Sequence, residues 1–338
     1  KFTSAFAIRR SISEATHQTV DREFLPFPRY WILLTRLHSR MSSVSLVQIP
    51  ISNVVPISDP EECAFGFVQL VELRDRPGSR FVLKTLRESV RFSPEIEEHI
   101  RLLSSIRSKY VLPLIGIVEE DGKFKGLLTE HCEGQTLADW SVSSRSSWSS
   151  DASFREFCVL MSRICEGMSD LQADGILHVD FKPDNVLLQS DRSGALVPRL
   201  SDFDLSPSSY ACLSSLSSSG SLSGVSGVLD TLGFMTPELE TSTEADVSSF
   251  GMMLSAGWYF GCSSASLDEF RTSLIAGVLP EVDESSDEES PFGSKNGRLI
   301  SEIIVRCLSQ SSSDRPSFEA LRRDFESLSF VQSAAASI

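Results

Sequence analysis

The sequence predicts an α+β chain, as one large domain or two lobes sharing a cleft: its first third is strand-rich with one main helix, and the rest is mostly helical. Three observations carry this. Between Glu61 and Cys132, apolar residues alternate with others over short runs, as half-buried strands do. One run there and several after Gly134 instead repeat apolar residues at helical spacing. The length, 338 residues, is ample for a core in each of two packed lobes.

Residues 1–57 lack sustained periodicity and read as a poorly ordered N-terminal extension. The first lobe is expected over residues 58–132, the second over 133–330, with 331–338 as a tail. In the first lobe "FGFVQLVEL" and "RFVLKTL" alternate as strands, with "RDRPGS" as the turn between them. "FSPEIEEHIRLLSSI" is a helix. Ser93 caps it, Pro94 takes the first helical position, acidic residues fill the first turn, and Ile96, Ile100, Leu103 and Ile106 share a face. "YVLPLIGIVEE" and "FKGLLTEHC" are strands around the Asp-Gly turn of "DGK". The second lobe contributes the helices "FREFCVLMSRICEGMSDLQADG", "EADVSSFGMMLSAGWYF", "SLDEFRTSLIAG" and "RLISEIIVRCLSQ". Three segments interrupt them: Ser141–Ser153 and Ser206–Ser226, each more than half serine, and the acidic Glu281–Ser290. Such compositions do not offset chain entropy by burial, so all three are expected as mobile loops.

Charge and cysteine content narrow the function. A formal net charge of −15 argues against a nucleic-acid partner or an anionic membrane surface. Seven scattered cysteines without a CxxC pair suit reduced thiols, and so a cytoplasmic or nuclear setting, better than a disulfide frame or a zinc site. No window reaches the roughly 18–20 apolar residues of a membrane span; Tyr30–Leu37 is too short and carries Arg36. The basic, serine-containing opening is similar to an organelle transit peptide, which leaves organelle targeting by residues 1–40 as an alternative, and Met41 as an alternative start.

The chemistry concentrates in "HVDFKPDNVLL", His178–Leu188, which sets Asp180, Lys182 and Asn185 at fixed offsets and runs into an apolar strand. "RLSDFDLS" follows, with Asp202 twenty-two residues after Asp180, then "TLGFMTPELE", "EADVSSFG" and "DRPS"; upstream stands Lys84 in "FVLK". In order and spacing these resemble the eukaryotic-type protein kinase family, over about Glu61 to Phe330. "VLPLIGI" and "DRPSFEALRRDFESL" are similar to the tyrosine-kinase-like branch of the serine/threonine kinases.

That resemblance implies a bilobal fold and an ATP- and Mg²⁺-dependent transfer of phosphate to serine or threonine hydroxyls of a protein substrate. Asp180 would orient the acceptor hydroxyl and take its proton, and Lys182 would face the γ-phosphate. Asn185 and Asp202 offer hard oxygen ligands for Mg²⁺, and Lys84 would contact the α- and β-phosphates. Thr129 would be the gatekeeper, the backbone of Glu130 and Cys132 would bond the adenine edge, and Val68, Val82 and Leu187 would sandwich the purine. Glu238 would pair with Arg315, Asp246 would hold the backbone of the catalytic loop, and Thr231 with Lys182 favours serine or threonine over tyrosine as acceptor.

Four departures keep a second reading open, that of a pseudokinase serving as a nucleotide-binding or scaffolding module. Glu61, Cys63 and Gly66 stand where three glycines of the phosphate loop belong, Asp204 makes "DFD" of "DFG", and Val179 replaces the arginine of "HRD". The expected helix glutamate opposite Lys84 is not in place: counting without gaps puts His99 there, Glu95 or Glu98 are the alternatives, and no pair at all is the remaining one.

Overall fold

The computed structural model describes residues 46–63, 66–86, 94–144, 150–202, 242–256 and 295–335, all within the unit Ser43–Ile338. Seven short strands build the first lobe: β1 Gln48–Pro50, β2 Val54–Pro56, β3 Glu61–Cys63, β4 Gly66–Leu73, β5 Arg76–Leu86, β6 Leu114–Glu120 and β7 Lys123–Glu130. They form one sheet in the order β1-β6-β7-β5-β4-β2, with β3 also on β4. The two edge strands, β1 and β2, are joined only by the single turn Ile51–Asn53. That link spans at most about 15 Å, whereas six flat strands would hold their edges roughly 24 Å apart. The sheet therefore curls on itself. Its inside is the core formed by Ile49, Val54, Val71, Leu73, Phe81, Leu83, Val118 and Leu128.

This corrects the expected boundary at residue 57. The sheet starts at Gln48, and β1 and β2 are three-residue strands split by a turn, too short to show a period. The β4–β5 turn is Arg74–Asp75, so Pro77 and Gly78 belong to the strand rather than the turn. Asp121 and Gly122 turn between β6 and β7 with φ of 52° and 72°, as the Asp-Gly pair implied. Helix α1, Pro94–Ser105, lies against the outside of the sheet, where Ile100 is fully buried with Ile117 and Leu127. The Ser93 cap lies outside the described residues.

In the second lobe the described helices are α2 Leu137–Ser144, α3 Asp151–Ala173, α4 Thr243–Ser255, α5 Lys295–Cys307 and α6 Phe318–Ala335. The serine segment 141–153 is not a loop at either end. Its first residues finish α2, where Trp140 and Ser141 are buried, and Ser150 caps α3 by accepting from the Ser153 N–H. Helix α6 continues five residues past the expected end at 330. Phe157, Phe181, Phe250, Phe318 and Phe325 meet ring to ring in the interior, which anchors α3, α4 and α6 around the loop that carries Phe181. A small sheet, β8 Gln135–Thr136, β9 Val186–Ser190 and β10 Leu196–Leu200, in the order β10-β9-β8, lies below the cleft. The segments 206–226 and 281–290 and the helix expected over "SLDEFRTSLIAG" lie outside the described residues.

One contact ties the lobes at the back. Leu200 donates to the Tyr110 carbonyl at 2.7 Å and accepts from the Leu112 N–H at 2.8 Å. Gly167 of α3 makes the room, since a Cβ there would stand 2.9 Å from Tyr110 Cβ. Among the described residues no helix is long and apolar enough to cross a membrane. The five described cysteines are free, and burial pushes the thiols of Cys158 and Cys307 up to about 12, which leaves them unreactive.

Candidate functional site

Strand register alone assembles one wall. Lys84 of β5 pairs with Val68 of β4 and Leu127 of β7, and Val82 pairs with Thr129. Residues two apart and residues directly opposite share a face, so Val68, Val82, Lys84 and Thr129 line the same side of the sheet, opposite to Leu83 and Phe81 in the core. Val68, Val82 and Thr129 are half-buried, and Lys84 is 9% exposed. Glu61 pairs with Val68 and Cys63 with Gly66 across the β3–β4 hairpin, so both departures from glycine also stand on this face. Glu61 is exposed and Cys63 half-buried.

The chain leaves β7 at Glu130, whose N–H donates to the Pro113 carbonyl, and His131 donates to Arg80 O at 3.3 Å. Among the described residues no acceptor meets the Cys132 N–H. Gly134 then passes directly over β9: a Cβ at 134 would lie 1.8 Å from the Leu188 carbonyl oxygen. Leu187 is half-buried while its neighbour Leu188 is buried, so Leu187 is the residue of β9 turned out of the core.

The loop that carries Asp180, Lys182 and Asn185 is held from beneath. Asp246 of α4, 2% exposed, accepts the His178 N–H on one oxygen and the Val179 N–H on the other, both at 2.9 Å. These bonds hold Val179 at φ 68°, a left-handed conformation that a β-branched residue rarely adopts. Burial raises the Asp246 carboxyl to about 6 against those two bonds. Burial also lowers His178 to about 4, leaving its ring neutral and edge-on to Phe181 at 5.1 Å.

Above this anchor the polar groups converge. Asp180 Oδ2 accepts from Asn185 Nδ2 at 3.0 Å and pairs with Lys182 Nζ at 3.2 Å. Its Oδ1 is buried and has no partner among the described residues. Asn185 also donates to the Asp180 carbonyl at 2.7 Å, which fixes its amide with the oxygen end unspent on that loop. Lys84 Nζ reaches Asp202 Oδ1 at 2.8 Å across the cleft. The Lys84 ammonium is the main influence holding the Asp202 carboxyl below its usual range, with Lys182 adding to it. Asp202 sits at φ 62° with 51% of its side chain exposed.

One residue went unforeseen. The Ser201 N–H and Oγ both bond the Asn185 carbonyl, at 2.9 and 3.0 Å, so Asn185 and Asp202 are fixed to each other through it. A lone serine before "DFD" carries no sequence signal for that role. Gly134 and Gly167 were likewise illegible, because what excludes a side chain there comes from distant strands.

Among the described residues no three His, Cys, Asp or Glu side chains gather as a metal cage. One amide oxygen and one carboxylate fit a small hard cation that keeps waters and takes phosphate oxygens for the rest of its shell. The amide oxygen of Asn185 and the open carboxylate of Asp202 are the polar atoms such a site needs. Arg315, 8% exposed, binds the Ser309 and Glu244 carbonyls. Its expected partner Glu238 lies outside the described residues, as do Thr231, Phe203, Asp204 and the side chains of Glu95, Glu98 and His99.

Comparison with known proteins agrees with this arrangement. The protein kinase domain family matches residues 63–325, well over half of the chain. Receptor-interacting serine/threonine-protein kinase 3 of Rattus norvegicus is 27% identical over 67% of the chain and 47% of its own length. The Homo sapiens protein of that name is 28% identical over 67% and 43%. Receptor-interacting serine/threonine-protein kinase 1 of Homo sapiens is 23% identical over 84% and 42%. The chain thus spans less than half the length of these relatives. With its curled sheet, its Lys84–Asp202 pair and a catalytic loop held by Asp246, the chain belongs to the protein kinase domain family.

Proposed function

We propose that the chain is a serine/threonine protein kinase that transfers the γ-phosphoryl group of ATP to a hydroxyl of a protein substrate, with Mg²⁺ as its metal. The observation that carries this is the 2.8 Å contact between Lys84 Nζ and Asp202 Oδ1, which joins the two lobes at one point beside Asp180, Lys182 and Asn185. The names of the relatives support serine and threonine as acceptors.

Mg²⁺ bound by Asn185 and Asp202 would supply positive charge against the phosphate oxygens. The chain's own groups do the rest. Val68, Val82 and Leu187 sandwich the purine, the Glu130 carbonyl and Cys132 N–H meet its edge, and Thr129 limits the depth of the pocket. Lys84 holds the α- and β-phosphates while keeping Asp202 ionised. Asp180 Oδ1, which has no partner among the described residues, receives the substrate hydroxyl. As that oxygen bonds to the γ-phosphorus and the bond to the ADP oxygen breaks, its proton passes to Asp180. Lys182 Nζ, 3.2 Å from Asp180 Oδ2, lies within reach of the charge on the transferring group.

A second reading, a nucleotide-binding module without transfer, draws on Glu61 and Cys63 standing on the cleft face of the hairpin. One comparison separates the two. Wild type is expected to phosphorylate a mixed serine/threonine peptide library with ATP and Mg²⁺, and Asp180→Asn is expected to abolish this without lowering the melting temperature. A thermal shift with ATP and Mg²⁺ but no transfer by wild type would favour the second reading.

A further inference from the structure

The sheet contains a strand that lies outside the residues matching the family. β1 precedes residue 63 and runs parallel to β6, with Gln48 opposite Ile117 and Ile49 opposite Val118. The Ile117 N–H donates to the Val47 carbonyl at 2.9 Å. Gly116 makes this seat. A Cβ there would stand 2.3 Å from that carbonyl oxygen and 3.1 Å from Val47 Cβ. The Val47 oxygen is held by the Ile117 N–H just before β1 and has little room to swing, so β1 in this place and a side chain at 116 exclude one another.

What the seated strand touches is more telling. Ile49, 5% exposed, enters the inner core of the sheet. Leu46, on the other side, packs against the cluster of Ile100, Ile117 and Leu127. Ile100 is the fully buried contact of α1, and Leu127 is the register partner of Lys84 on the cleft face. Leu46 is therefore a half-buried member of an apolar cluster that includes Ile100 of α1 and Leu127, the strand position beside Lys84.

We propose that Leu46–Pro50, seated by Gly116, is a positioning element for nucleotide binding: it holds α1 and the Lys84 face of the sheet in the geometry that grips the phosphates. This rests on Lys84 acting as the phosphate-binding lysine. Neither Leu46 nor Gly116 touches the nucleotide. They act through Ile117, Leu127 and Ile100.

The test uses the full chain as wild type, Leu46→Ala, Leu46→Met and Gly116→Ala, with ATP plus Mg²⁺ and plain adenosine as probes. Adenosine fills the purine slot without reaching Lys84, so a general loosening of the lobe would weaken both ligands. A positioning role weakens ATP alone. Residues acting through packing change coupling by about 0.5–2 kcal/mol, so ATP affinity is expected to fall roughly two- to thirtyfold in Leu46→Ala and Gly116→Ala. Adenosine affinity is expected to hold in all four, and Leu46→Met, which keeps the apolar volume, to bind ATP as wild type does. Hydrogen exchange is expected to quicken at the Ile117 amide in Gly116→Ala and along α1 in both weakened variants. If the Ile117 amide becomes labile while α1 exchange and ATP affinity stay at wild-type values, the proposal is overturned. The same holds if ATP and adenosine weaken together. A wild type that binds adenosine but gains nothing from the phosphates of ATP overturns the Lys84 reading itself, and that outcome is distinct from the other two.

Discussion

Val179 offers a direct measure of how tightly the catalytic loop is held. Its φ of 68° is imposed by the N–H bond to Asp246 at 2.9 Å, and its side chain is half-buried. Replacing it by glycine alone would mix lost packing with relieved strain, so the informative quantity is the difference between Val179→Ala and Val179→Gly. Both remove the isopropyl group. A left-handed conformation costs a residue with a Cβ about 1–2 kcal/mol, and glycine costs about 0.5–1 kcal/mol in chain entropy. Glycine should therefore be the more stable of the two by about 0.5–1 kcal/mol. At Val142, which is 62% exposed on α2, the same comparison should favour alanine by about 1 kcal/mol. Urea unfolding followed by tryptophan fluorescence measures both pairs. Repeating the Val179 pair in an Asp246→Asn background should shrink the glycine advantage, because the loop is then released to relax. An alanine advantage at both positions would refute the claim that the loop is strained, and an unchanged glycine advantage without Asp246 would refute its cause.

Two further outcomes follow from electrostatics. Asp246 is raised from 3.8 to about 6 by burial, so in the folded state it binds its proton more tightly, and its contribution to stability is present below pH 4 and lost as pH rises through 6. His178, lowered from 6.5 to about 4, has the opposite sign and loses stability as pH falls from 6.5 toward 4, so the two nearly cancel between pH 4 and 6. Asp246→Asn removes one side of that balance. Its deficit relative to wild type should be larger at pH 4 than at pH 7 by about 3 kcal/mol, and parallel stability profiles would rule this out. At the hairpin, Glu61→Gln removes a carboxylate from the cleft face, which in high dielectric is worth about 0.5–1 kcal/mol of repulsion. ATP affinity should rise roughly two- to fivefold at low salt and the gain should fade with added salt; a fall in affinity would mean that Glu61 assists binding.

The parts of the fold legible in the sequence were those whose cause is local. The alternation in "FGFVQLVEL" and the helical spacing of α1 arise within one element, and the Asp-Gly turn at 121–122 requires only that two residues accept positive φ. The residues that the resemblance to protein kinases singled out stand together: Asp180 contacts Lys182 and Asn185, and Lys84 meets Asp202. What escaped was set by distant partners. The first two strands are three residues each and exist because β6 and β4 offer them open edges. Ser150 reads as linker by composition, yet it ends as a cap because apolar positions of α3 begin just after it. Ser201, Gly134 and Gly167 gain their roles only when another strand or helix is brought within van der Waals distance.

Among the described residues the departures from the family pattern, Glu61, Cys63 and Val179, fall on the roof of the cleft and on the loop backbone, while Asp180, Lys182, Asn185 and Asp202 form its floor, and these parts would do different work. A glycine-rich roof supplies backbone N–H groups to the phosphates and so adds mainly to nucleotide affinity. The floor supplies the groups that respond to the reaction itself: an acceptor for the hydroxyl proton, a cation beside the transferring group and the oxygens for a metal. Here those floor groups are bound to one another and to buried structure. Asp246 pins the loop, Asn185 fixes Asp180, Ser201 ties Asn185 to Asp202, and Leu200 is clamped between Tyr110 and Leu112 two residues before Asp202. Such a network keeps its geometry without help from the roof. On the proposed reading, Glu61 and Cys63 in place of glycine would weaken the grip on ATP while leaving the contacts among Asp180, Lys182, Asn185 and Asp202 in register, so a loss of affinity would not imply a loss of chemistry.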